Sequence, residues 1–292
     1  MKKHIIALFI LFILACACVL SNYNETIKQN YYIITQYGID DNSQVMFYTI
    51  KSPDGKLAVI DGGTKENADY VRQVLSEEGN NIDVWILTHA HEDHMGAFIE
   101  IFKSPGSITI NKVYTIDIDY DYYTKVAEPV DRFDVYEEFL KLNIPNITYL
   151  SAGDSIDLIG LDMKVFNGYS DLHKNNQISG NLMNECSMVF KITNKKESIL
   201  FCSDTGNISV LENMINEYGS QLAADYMQVG HHGASYNKDF FEVVGAKVLF
   251  IDAPLALRQW QEYPVYANLE LLNREGYEIY TYETTPNTIL LK

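Results

Sequence analysis

The chain has 292 residues, 47% hydrophobic and 21% charged, ordinary values for one folded domain that exclude a disordered or low-complexity polymer. Its formal net charge of −17 repels polyanions, and no basic run provides the local Lys and Arg that a nucleic-acid backbone needs, so DNA and RNA are disfavoured as partners. Residues 1–18, MKKHIIALFILFILACAC, place two lysines before an apolar run too short for a comfortable membrane span, then small residues with cysteine. That is the layout of a secretory signal peptide. Ile13-Leu14-Ala15-Cys16 and Ala15-Cys16-Ala17-Cys18 both resemble a bacterial lipoprotein cleavage box, and Ala15-Cys16-Ala17 also fits ordinary signal peptidase. The expectation is a domain outside the cytoplasmic membrane, anchored by lipid at Cys16 or Cys18 or simply secreted. Residues 19–29 then form a short linker, and residues 30–292 one domain.

Strands are predicted at residues 31–36, 45–51 and 57–60, with a turn at Pro53-Asp54-Gly55. A helix follows over 66–78, with Thr64 as its cap and Val71, Val74 and Leu75 on one face. The apolar run 82–87 reads as a buried strand that delivers Thr88-His89-Ala90-His91-Glu92-Asp93-His94 to a sheet edge. Three of the chain's seven histidines fall within positions 89–94. In extended backbone, residues two apart point the same way, so His89 and His91 can share one metal, and a turn at Glu92 offers Asp93 and His94 to a second. Imidazole with carboxylate favours zinc, with manganese or iron as alternatives. Beyond this cluster come a helix at 95–102 and strands at 108–116, 147–150, 155–159 and 163–166. Strands recur near Met188, Leu200 and Tyr226 and at 248–251, 278–282 and 288–291, with helices at 210–218 and 268–274. Two β-rich halves, each with helices on its outer face, would pack sheet against sheet.

Further chemistry-bearing residues lie at predicted strand ends: Asp61 in Val59-Ile60-Asp61-Gly62-Gly63, Asp204 in Phe201-Cys202-Ser203-Asp204-Thr205-Gly206, and a histidine pair in Val229-Gly230-His231-His232-Gly233. With the HxHxDH cluster and in this order, they resemble the metallo-β-lactamase superfamily of binuclear hydrolases, over about residues 31–292. The resemblance implies an α/β fold, a four-layer αββα sandwich, and two divalent cations. His89, His91 and Asp204 would hold one metal; Asp93, His94, Asp204 and His232 would hold the other. Asp61 would lie behind the ligands and fix their loop by hydrogen bonding. The implied nucleophile is a hydroxide bridging the metals, with Asp93 orienting it or taking its proton and His231 touching a substrate oxygen.

The superfamily's further histidine, expected on a strand about twenty residues before the bridging Asp, is replaced here by Asn184-Glu185-Cys186-Ser187. Asn184 thus becomes a third candidate catalytic residue. This Asn-x-x-Ser pattern resembles ComEC-type hydrolase domains and bacterial phosphorylcholine esterases; His91, where the ComEC branch usually has Asp, favours the esterase side. The expected function is therefore an extracytoplasmic metal-dependent hydrolase of phosphodiester or related ester bonds, acting on a small-molecule or cell-surface substrate. The alternatives are a ComEC-like nuclease, a lactonase or β-lactamase, and a surface binding protein that keeps the metal only for structure. His173, in the polar stretch 170–180, reads as a solvated loop residue, with metal ligation as the alternative. Cys186 and Cys202 flank a hairpin turning at 194–197, which leaves both a disulfide and two buried thiols open. The Tyr- and Asp-rich stretch 118–132 reads as an irregular surface loop or as a wall of the substrate entrance.

Overall fold

The computed structural model describes residues 31–39, 43–126, 131, 133–175, 181–282 and 285–292. The expected signal peptide and linker lie outside the described residues, and among those described no helix is long and apolar enough to cross a membrane. The first half supplies strands β1 (Tyr32–Gln36), β2 (Phe47–Lys51), β3 (Leu57–Asp61), β4 (Asn81–Ile82), β5 (Val84–Ile86), β6 (Thr109–Ile110), β7 (Val113–Thr115) and β8 (Ile147–Tyr149). The second half supplies β9 (Ser155–Leu158), β10 (Leu161–Asn167), β11 (Val189–Thr193), β12 (Ser198–Phe201), β13 (Tyr226–Gln228), β14 (Val248–Ile251), β15 (Glu278–Thr281) and β16 (Asn287–Leu291). One seven-stranded sheet has the order β16-β1-β2-β3-β5-β7-β8 and the other β15-β14-β13-β12-β11-β10-β9, while β4 and β6 form a small parallel pair. Each large sheet begins as antiparallel hairpins and continues as a parallel run, β3-β5-β7-β8 in one and β12-β13-β14-β15 in the other. Parallel strands need crossover helices and leave their carboxyl ends along one edge, the usual place for a site in such sheets.

The helices are α1 (Ala68–Glu78), α2 (Glu92–Lys103), α3 (Tyr120–Val126), α4 (Phe133–Leu140), α5 (Asp171–Asn175), α6 (Leu182–Glu185), α7 (Ile208–Tyr218), α8 (Lys238–Val244), α9 (Leu255–Gln259) and α10 (Pro264–Glu275). Between the sheets, Tyr48 of β2 packs edge-on against Phe201 of β12 at 5.2 Å and Phe250 of β14 at 6.1 Å. Its hydroxyl and the Gln36 amide both donate to Asp252 Oδ1 at 2.7 Å, so this buried carboxylate receives two donors from the facing sheet. On the outer faces, Trp85 of β5 meets Phe98 of α2 at 5.1 Å, and Phe166 of β10 meets Tyr218 of α7 at 5.0 Å. The result is the expected αββα sandwich, four layers with an apolar centre.

Several boundaries differ from the sequence expectation. Thr64 caps a short 3₁₀ turn, Lys65–Asn67, and the α-helix begins only at Ala68. The expected strand 108–116 is broken into β6 and β7, which pair with different partners. Part of the Tyr-rich stretch is helical, as α3, and buries Tyr123 completely.

Gly96 lets α2 sit directly on the turn after β3: a Cβ there would lie 2.6 Å from the Lys65 backbone nitrogen. Helix propensity alone predicts that Gly96→Ala stabilises by about 1 kcal/mol. The backbone contact reverses that, since overpacking costs about 1–3 kcal/mol. Chemical denaturation should show a net loss of stability, and an Ala variant more stable than wild type would contradict this packing.

Candidate metal centre

Every element of the centre sits just beyond the carboxyl end of a parallel strand: Asp61 ends β3, His89 follows β5, Asp204 follows β12, and the histidine pair follows β13. Beyond β5 the chain bends at Ala90, and His91, itself extended (φ −86°, ψ 155°), is the N-cap of α2. Asp93 and His94 are therefore offered by the first turn of α2, a correction to the expected free turn at Glu92. Acidic Glu92 and Asp93 suit that position because a helix N-terminus carries partial positive charge.

The loops are held in unusual backbone conformations. Asp61, Ser203, His231 and His232 all have φ near +50°, a left-handed region that non-glycine residues enter at a cost of about 1–3 kcal/mol. Hydrogen bonds between the loops fix them there. Gln228 Oε1 accepts from the backbone N–H of Cys202 at 2.9 Å and of Ser203 at 2.7 Å, and His231 N–H donates to Ser203 O at 2.8 Å. Gly230 permits this approach, since a Cβ there would come within 2.4 Å of Thr205 O. Ser187 Oγ accepts from Asp204 N–H at 3.2 Å, and the Asn167 amide donates to the Glu185 and Ser187 carbonyls.

Ring orientation follows from hydrogen-bond accounting. Asp61 Oδ1 accepts from Thr88 N–H at 2.8 Å, while Asp61 Oδ2 accepts from Thr88 Oγ1 at 2.6 Å and His94 Nδ1 at 2.7 Å. Ser203 Oγ in turn donates to Thr88 Oγ1 at 2.7 Å. Both hydroxyls have thereby used their protons, so beside His89 Nδ1, at 3.2 and 3.3 Å, they can only accept. His232 Nδ1 donates to the Asp252 carbonyl, 3.2 Å away. In His89, His94 and His232, then, Nδ1 anchors the ring and Nε2 is aimed inward. There His94 Nε2 lies 3.2 Å from His232 Nε2 and from Asp204 Oδ1, His232 Nε2 lies 3.1 Å from Asp93 Oδ2, and His89 Nε2 lies 3.9 Å from Asp204 Oδ2.

Two groups of candidate ligands result, His89/His91/Asp204 and Asp93/His94/His232, each with its ligand atoms within 4.8 Å of one another. Asp204 also reaches the second group, with Oδ2 3.5 Å from His232 Nε2. The donor set suits a cation on a structural test: His89 Nε2 is a buried ligand atom without a hydrogen-bond partner, and Asp204 Oδ1, also buried, has only the 3.2 Å contact with His94 Nε2. Buried polar atoms are nearly always satisfied, and a cation among these side chains would satisfy both.

Electrostatics agree. Burial favours neutral His94, but the Asp204 and Asp61 carboxylates outweigh it and carry its pKa up to about 10. The same contest, with Asp204 and Asp93 prevailing, raises His232 well above the ordinary imidazole range. Burial, reinforced by His94 and His91, holds His89 well below it. Against its own burial, Asp204 is kept ionised by His232 and His94. Protons and metal cations compete for such lone pairs.

Of the remaining candidates, His231 stands apart from both groups, with Nε2 3.4 Å from Asn184 Nδ2; Asn184 Oδ1 is buried without a partner. His173 is neither solvated nor a candidate ligand. It is buried in α5, with Nε2 3.0 Å from the Glu185 carbonyl and Nδ1 against Ser170, because α5 folds back onto α6. Cys186 and Cys202 are both buried free thiols. Sequence reasoning missed Asp131, whose Oδ1 lies 2.8 Å from His91 Nε2, and the hydroxyls of Thr88 and Ser203. Thr88 could have been suspected from its place beside His89; Asp131 carries no spacing signal.

A family model described as the metallo-beta-lactamase superfamily matches residues 40–151. A metal-dependent hydrolase of Thermodesulfovibrio yellowstonii is 37% identical over 60 residues, 20% of this chain and only 22% of that protein's length. The metallo-beta-lactamase fold protein YhfI of Bacillus subtilis superposes with a TM-score of 0.52 at 13% identity, covering 89% of this chain and 100% of that one. Igni18, a metallo hydrolase of Ignicoccus hospitalis, gives 0.52 at 14% identity with the same coverages. CmlA, a diiron beta-hydroxylase of Streptomyces venezuelae, gives 0.56 at 12% identity over 89% of this chain and 54% of that one. Identities this low speak to the fold alone.

Replacing Asp61 by Ala strands the Thr88 N–H and His94 Nδ1 in a fully buried place. The expected cost is about 3–5 kcal/mol, read as a lower denaturation midpoint, together with weaker metal uptake. An Asp61→Ala variant of wild-type stability would contradict the assigned role.

Proposed function

We propose that this chain is a metallo-beta-lactamase superfamily protein and, on that premise, a binuclear metal-dependent hydrolase of phosphodiester or related ester bonds, a reading supported by the family-model match over residues 40–151 and by the shared fold. The two groups of candidate ligands, gathered around the unpartnered His89 Nε2 and the buried carboxylate of Asp204, carry the reading. Leaving His89 Nε2 unsatisfied costs about 1–3 kcal/mol, which a bound cation would offset. His89, His91 and Asp204 would hold one ion; Asp93, His94 and His232, with Asp204 shared, would hold the other. Zinc fits the donors best, with manganese or iron as alternatives. Bound there, the ions would supply Lewis-acid polarisation and would bring the pKa of a coordinated water toward neutrality.

The chain's own residues provide the rest. Asp93, its side chain 25% exposed, forms part of the wall of an open cleft of about 610 Å³ also lined by Thr64, Lys65, Glu66 and Glu92. From there it orients the attacking water and receives its proton. Asn184 and His231, side by side but outside both ligand groups, bind a substrate oxygen. With Asn184 near the place of the superfamily's usual further histidine, the ion held by His89, His91 and Asp204 would have three protein ligands, which would leave room for an anionic phosphate oxygen. Lys65 in the cleft is paired with Glu92 at 3.4 Å, a surrounding that supports a small ester and disfavours a polynucleotide. We place the reaction outside the cytoplasmic membrane, a placement supported by the character of residues 1–18.

Metal analysis and a screen of nitrophenyl phosphodiester, phosphorylcholine, lactone and lactam surrogates test the proposal. Wild type should contain two ions per chain and cleave a phosphorus ester. Asp204→Asn should lose both metal and turnover. Asn184→Ala and His231→Ala should keep the metal and lose about 10- to 100-fold in turnover, the value of a hydrogen bond to a charged group. Opening of a lactam with phosphorus esters untouched, or full activity in Asp204→Asn, would overturn the assignment.

A further inference from the structure

His91 is oriented differently from the other three histidines of the cluster. Its Nε2, not its Nδ1, is engaged, lying 2.8 Å from Asp131 Oδ1. A carboxylate only accepts, so Nε2 carries the proton and the lone pair on Nδ1 is the one left for a metal. Asp131 is itself completely buried at the side chain. Its Oδ1 also accepts from the Tyr123 hydroxyl at 3.1 Å, and its Oδ2 from the Met183 backbone N–H at 3.3 Å. It stands outside both ligand groups, so it acts through His91.

We propose that Asp131 is a positioning residue for the metal centre: it fixes His91 as the Nε2–H tautomer, presents Nδ1 as the ligand atom, and ties that ligand to α3 and to the start of the Asn184 helix. A carboxylate behind a ligating imidazole sets the ring's angle and raises its basicity, and losing such a partner weakens metal affinity about 10- to 100-fold. The same bond gives the Tyr-rich stretch a structural purpose. Tyr123 of α3 is buried against Asp131, while α6, which begins beside Met183, carries Asn184. One carboxylate thus couples a metal ligand to the element that positions the candidate substrate contact.

The inference rests on the metal centre proposed above, and two measurements on the full chain separate the two. In zinc titrations by chelator competition, Asp131→Ala should weaken one of two ions about 10- to 100-fold and leave the other near its wild-type affinity. Isosteric Asp131→Asn, which keeps an acceptor but no charge and is the variant to rely on should the Ala form misfold, should give a smaller loss at the same ion. In magnetic resonance of the histidine rings of the zinc-loaded protein, His91 should show its proton on Nε2 in wild type and in Asp131→Asn. Wild-type protein that takes up no zinc contradicts the centre itself. Wild type that binds two ions while both variants match it, loss of both ions equally in Asp131→Asn, or a His91 proton on Nδ1 would overturn the role of Asp131.

Discussion

The buried carboxylate of Asp61 is the constraint on which the rest of the site depends. It ends a central strand in a left-handed conformation and accepts from three donors, the Thr88 backbone, the Thr88 hydroxyl and the His94 ring. Through Thr88 it reaches Ser203, which belongs to the other sheet's loop, so one chain of hydrogen bonds crosses the seam between the halves of the sandwich. Apolar packing brings the two sheets together without direction. Directional bonds from Asp61, Gln228 and the Asp252 carbonyl decide which ring nitrogens face inward.

Electrostatic necessity runs through the same residues. Asp61, Asp131 and Asp204 have almost no exposed surface, and buried carboxylates persist only when paired. The structure gives each an imidazole partner: His94 for Asp61, His91 for Asp131, and His94 and His232 for Asp204. The outer carboxylates face nitrogens turned away from the centre, and Asp204 faces nitrogens turned toward it. Carboxylates are thereby arranged in two layers around the point toward which His89 Nε2, a buried atom with no hydrogen-bond partner, is turned.

The expectations that held rested on periodicity. The apolar run before the cluster was legible because β5 is fully buried and delivers His89 beyond its end, although the chain bends at Ala90 before His91 caps α2. Motif order located Asp61, Asp204 and the histidine pair because each follows an apolar strand core. The start of α2 was missed because Glu92 and Asp93 read as loop composition, although acids favour a helix N-terminus. Asp131 could not be read at all: 40 residues separate it from His91, and only tertiary folding brings them together. His173 was misjudged because its polar neighbours conceal a ring buried by backbone carbonyl contact. Left-handed backbone at Ser203 and His231 carries no glycine to announce it.

Anomalous diffraction from crystals of the protein grown with zinc tests the central claim most directly. The account predicts two peaks, one bounded by His89, His91 and Asp204 and one by Asp93, His94 and His232, with Asp204 touching both. A single peak, or zinc bound elsewhere with these side chains empty, would contradict it.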